Sequence, residues 1–156
     1  YPGADEWIGP AFTALALGFM ISAFLSAKVT RALGGPTNTT TVGILGMIIS
    51  VSAYVWITVS PELSTALFLA FGMVVGTFFN GLVSLIYDYS GKQQSTAIFI
   101  DGALAPIGGA LGGALGGLAL GLGTGYDGWK VFVTVVSVLM LIPLFDLMRR
   151  IRGSGA

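Results

Sequence analysis

Between Glu6 and Lys28 lies an unbroken run of uncharged residues, Trp7 to Ala27, and runs of this kind recur to the end of the chain. A helix needs about 20 apolar residues to cross the roughly 30 Å hydrocarbon core of a bilayer. Read this way, the 156-residue sequence predicts helices over about 7–31, 40–59, 63–87, 95–123 and 129–148. The segment Gly34-Gly35-Pro36-Thr37-Asn38 has turn chemistry and is expected to precede the second helix. Ser60-Pro61-Glu62 is expected to open the third, and Asp88 to Gln94 to form a short polar link. The expected fold is all-α: a polytopic membrane protein of five transmembrane helices in one compact bundle, with no soluble domain.

Charge scarcity supports the same reading. Only 9% of residues are charged, against about 25% in a soluble domain. Histidine and cysteine are absent, which removes the commonest metal ligands, the commonest general base and the thiol nucleophile. No catalytic residue, metal site or enzymatic activity is therefore expected. A net charge of zero gives no basic surface for nucleic acid.

The few basic residues carry orientation. Lys28, Arg31, Lys92, Arg149, Arg150 and Arg152 fall on one side of the expected spans, and Lys130 alone on the other. The positive-inside rule then starts the chain on the non-cytoplasmic (lumenal) side and ends it on the cytoplasmic, stromal or matrix side. Trp7, Trp56, Trp129 and Tyr126 fall near the non-basic ends as an aromatic belt, with Tyr87 and Tyr89 serving the basic side. The opening Tyr1-Pro2-Gly3 suits a cut precursor, as for an imported organellar protein, or a piece of a longer polypeptide.

Helix four holds the most unusual pattern. Gly108, Gly112 and Gly116 form one row at four-residue spacing, and Gly109, Gly113, Gly117 and Gly121 form the row beside it. Together they make a wide face without side chains. In water, each such glycine costs nearly 1 kcal/mol against alanine. In a membrane, small-xxx-small faces let backbones approach closely. The face suits helix–helix or helix–pigment contact, or a sliding helix, or ordinary packing inside the bundle. Gly18 and Gly72/Gly76 offer smaller matching surfaces. Asp101, two turns into helix four, and Asn80 on helix three lie at similar depth from the basic side. An intramembrane carboxylate marks a candidate ligand or proton site; the plainer reading has Asp101 meeting headgroup water or Asn80 hydrogen-bonding to it. Asp146 is expected at the interface, paired with Arg149 or Arg150.

Three segments together carry a family resemblance: Gly18-x7-Ser26-Ala27-Lys28-Val29, then Ser90-Gly91-Lys92-Gln93-Gln94-Ser95-Thr96-Ala97 before the glycine-rich helix, then Tyr126-Asp127-Gly128-Trp129-Lys130-Val131-Phe132. In this order they resemble helices eight to twelve of a major facilitator superfamily transporter, closest to the organophosphate:phosphate antiporter branch. The resemblance implies a half-transporter bundle with the orientation given above. It also exposes departures. Ala27 stands where the family has an aspartate, and Tyr87-Asp88-Tyr89-Ser90-Gly91 replaces an acidic-proline segment. The family's phosphate-binding arginines belong to helices that this sequence lacks, and no arginine lies inside the uncharged run of an expected span.

The favoured expectation is a non-catalytic accessory subunit derived from such a half, packed against a larger photosynthetic or respiratory complex in a thylakoid or inner mitochondrial membrane. The alternative is the C-terminal part of a working antiporter for organic phosphates or other small anions. A third reading is a small pigment- or lipid-binding module. No cofactor is required; a bound chlorophyll would need Asn80, a glutamine, a carbonyl or water on its magnesium. Membrane lipids and other integral membrane subunits are the expected partners.

Overall fold

A computed structural model describes residues 4–57, 60–121 and 126–153. They form five long helices: α1 (Ala4–Ala32), α2 (Pro36–Ile57), α3 (Pro61–Ser90), α4 (Gln94–Gly121) and α5 (Tyr126–Gly153). A single 3-10 turn, Gly91–Gln93, separates α3 from α4, and no strand occurs among the described residues. Four stretches are long and apolar enough to cross a membrane: Glu6–Ala32, Pro36–Ile57, Pro61–Gly121 and Asp127–Arg149. The third includes both α3 and α4. The chain is thus all-α, with the helices of a membrane-spanning protein.

Local chemistry accounts for the boundaries. Ser60 caps α3 as expected, its Oγ accepting from the Leu63 amide at 3.2 Å, with Pro61 opening the helix and Glu62 in the first turn. The second helix, however, begins at Pro36, not at Thr40. Only Leu33 to Gly35 separate it from α1, and Gly34 and Gly35 hold φ values of 80° and 125° there, which L side chains rarely adopt. Pro36 then supplies a φ already suited to a helix start. Thr39, Thr40 and Thr41 stay helical by donating their hydroxyls to the carbonyls of Gly35, Pro36 and Thr37, each at 2.9 Å. The expected polar link from Asp88 is also mostly helix: α3 runs on to Ser90, and the break comes at Gly91, with φ 51° and ψ −118°. That is the first central position of a type II′ turn, which favours glycine.

Packing follows a definite order: α1 lies on α3, α3 on α2, α2 on α5 and α5 on α4, while α1 and α2 barely touch. Contacts fix the directions. Phe12 meets Phe68 and Phe19 meets Phe79, so α1 and α3 run parallel. Gly81 faces Thr40 while Tyr54 meets Phe68, so α2 runs against both. Trp129 borders a cavity with Phe68 and also stacks over Gly116. The end of α4 therefore returns toward the start of α3, with α3–α4 contact weak along the way.

The arrangement is open, not the expected compact bundle. Its surface is 9994 Å², whereas a compact 16.1 kDa protein exposes about 7,400 Å². The buried residues are mainly small: Ala14, Gly18 and Ser22 are the buried members of α1, and Gly72, Gly76 and Gly81 those of α3. Large apolar side chains such as Phe24, Phe99 and Ile142 point outward. Such an inverted distribution is expected where lipid, not water, surrounds the helices.

Candidate functional site

Each buried residue of α1 is four positions from the next: Ala14, Gly18, Ser22. Opposite them on α3 stands Gly72, Gly76, with Asn80 next in the same row. The two rows mesh backbone to backbone. A β-carbon at Gly72 would collide with the Leu15 carbonyl oxygen, one at Gly18 with that of Leu69, and one at Gly76 would lie 2.8 Å from the Ser22 Cβ. Ser22 Oγ and Thr77 Oγ1 complete this seam with a hydrogen bond of 3.2 Å. The sequence pointed to Gly18 and Gly72/Gly76 as matching surfaces, and here α1 and α3 make their closest approach.

The α2–α3 seam uses residues that the sequence reading passed over. A β-carbon at Gly43 would sit 2.5 Å from Phe78 Cα, one at Gly46 2.7 Å from Val74 Cγ1, and one at Gly81 2.6 Å from Thr40 Oγ1. Thr39 and Thr40 are buried beside it. The available signal was the pairing of a small residue on one helix with a bulky or hydroxyl residue on the other.

Asn80 and Asp101, the candidate ligand or proton site, are half-buried. Among the described residues no hydrogen bond joins them. Asn80 sits where α3 follows its glycine row, and its Nδ2 is buried without a hydrogen-bond partner. Its backbone carbonyl accepts from Ser84 Oγ at 2.8 Å. Asp101 lies seven residues into α4, about 10 Å along the axis, followed by an exposed stretch from Gly102 to Ala110. The described residues contain no group of three or more histidines, cysteines or carboxylates able to hold a metal.

The two glycine rows of α4 contrast with the seams. Only Gly116 meets another helix: a β-carbon there would lie 2.7 Å from Trp129 Cζ3. Gly108, Gly109, Gly112, Gly113, Gly117 and Gly121 have nothing within 4 Å of a β-carbon position. Among the described residues, packing within the chain therefore uses this face at Gly116 alone. At the end where α2 finishes and α5 begins, Lys130 Nζ lies 5.3 Å over the Trp56 ring and 3.3 Å from Asp127 Oδ1. Trp56 and the start of α5 thus share one level. The expected pairing of Asp146 with Arg149 or Arg150 involves an Arg150 side chain outside the described residues, as is that of Tyr126.

Comparison with known protein families, curated proteins and solved structures finds no match.

Proposed function

We propose that the chain is a non-catalytic accessory subunit of a larger membrane complex, presenting the bare face of α4 to a neighbouring helix. The observation that carries this reading is the contrast among glycines. Gly18, Gly43, Gly46, Gly72, Gly76 and Gly81 of α1, α2 and α3 already hold another helix of the chain, whereas Gly108, Gly109, Gly112, Gly113, Gly117 and Gly121 of α4 meet none among the described residues. A row of glycines in a membrane helix gives up side-chain contact, and close backbone approach to a partner returns that dispersion energy.

Five passes fit this proposal. Gly91 turns the chain between α3 and α4, and the end of α4 comes back beside Trp129. Lys28, Arg31, Lys92, Arg149, Arg150 and Arg152 then belong to the cytoplasmic, stromal or matrix face, with Lys130 opposite. The likeness to a major facilitator half supports descent from a transporter that has kept its packing residues.

Two measurements test the proposal together. Extraction from native membrane in mild detergent should place the chain in a large assembly on a native gel. Gly112→Leu with Gly113→Leu should release it from that assembly while its helix content stays unchanged. Migration as a lone chain, or reconstituted vesicles that take up phosphate esters, would overturn the accessory reading, and uptake would favour the antiporter.

A further inference from the structure

A cavity of about 290 Å³ opens between α2, α3 and α5. Its walls include Val51 and Tyr54 from α2, Phe68 and Phe71 from α3, and Trp129 and Val133 from α5, and they are almost wholly apolar. We propose that this cavity is a lipid site holding one acyl chain of a bilayer phospholipid.

Chemistry excludes water as the occupant. A buried water needs two to four polar partners, and this lining offers almost no polar surface. The volume is about twice that of an engineered apolar cavity of roughly 150 Å³ that binds benzene. Left empty, it would forfeit dispersion contacts on every wall.

Shape then selects the occupant. Along α5 the lining extends from Trp129 to Val136, about 10 Å at 1.5 Å per residue. A second helix, about 10–12 Å across, would need more than the cavity's 290 Å³ over this length. A single hydrocarbon chain fits. The cavity is also open along part of its wall, so a chain can enter sideways. Its Trp129 end lies beside Lys130 and Asp127, polar residues next to tryptophans as found at headgroup level. An acyl chain entering there keeps its ester end near that level and passes its methylenes inward between the aromatic rings. This site is independent of the accessory-subunit reading and needs only that the helices stand in a bilayer.

The test uses the full chain carrying Trp7→Phe and Trp56→Phe, so that Trp129 is the sole indole. It is reconstituted in phosphatidylcholine with bromine atoms on the acyl chains. Trp129 emission should be strongly quenched, and Val51→Phe, which fills the cavity, should reduce quenching about two-fold by excluding the chain in contact with the ring. Ser50→Leu fills the same space more gently and serves if Val51→Phe lowers helix content. Native mass spectrometry of the unfilled chain from phosphatidylcholine should show one more retained lipid than the filled chain. Equal quenching in filled and unfilled chains, an equal number of retained lipids, or a native preparation carrying an isoprenoid or pigment there would each overturn the proposal.

Discussion

The α1–α3 seam and the free face of α4 are built from the same sequence element, small residues four apart, and end in opposite states. In the seam, Gly18 lies against the backbone of Leu69 and Met73, Gly72 against that of Leu15, and Gly76 against the Ser22 side chain and the Phe19 carbonyl. On α4, seven glycines in two rows find Trp129 and Phe132 at Gly116 and nothing else among the described residues. A dense glycine run is thus no measure of how tightly its helix packs. A seam needs contour on the opposite side: Leu15, Leu69 and Ser22 supply it around the glycines of α1 and α3.

Substitutions can break this comparison at its strongest point first. Gly72→Leu would drive a side chain into the α1 backbone at Leu15. It should destabilise the chain by about 3 kcal/mol or more and separate α1 from α3, measured by unfolding in mixed micelles and by loss of a cross-link between the two helices. Gly43→Ala places one methyl against Phe78 Cα and should cost about 2 kcal/mol in the same unfolding assay. A cost near zero would show that α2 adjusts where α1 does not.

Asn80→Leu asks whether the far end of the seam prefers an apolar side chain. Because the Asn80 amide nitrogen is buried without a partner, its removal should stabilise the chain by about 1 kcal/mol. A loss of stability would instead mean that the amide holds a water or a ligand. Ser22→Ala removes the hydroxyl pair with Thr77 and should cost about 0.6 kcal/mol. The smallest effect belongs to Gly112→Ala. With nothing near its β-carbon, it should not destabilise the isolated chain and should stabilise it by about 0.4 kcal/mol, yet weaken assembly on native gels. A large loss in the isolated chain would mean that α4 packs internally after all.

Helix positions were readable because charged residues and prolines punctuate uncharged runs. Ser60-Pro61-Glu62 is such a mark, and α3 starts there. The start of α2 escaped notice because threonines beside glycines resemble a loop, whereas back-bonding to carbonyls one turn earlier lets Thr39 to Thr41 continue a helix. Neighbour relations were harder still. Helices apolar on all sides have no distinct buried face to read, so nothing in the pattern said that α1 would choose α3 over α2. Asp101 and Asn80 stand out in the sequence as polar residues inside apolar runs, but their relation depends on how α4 splays from α3, which spacing along either helix does not encode.

The parallel pairing of α1 with α3 has a consequence for biosynthesis. The partner of α1 is complete only at Ser90, 58 residues after α1 ends at Ala32. At translation rates of about 5–20 residues per second, α1 waits some 3–12 s for its mate. During that interval the Ala14–Gly18–Ser22 groove faces lipid, the membrane insertase or a chaperone. Since α2 barely touches α1, the first helical hairpin gives no shelter. The chain assembles around its third helix, and a stall before residue 90 leaves an inserted but unpaired α1 for membrane quality control to recognise.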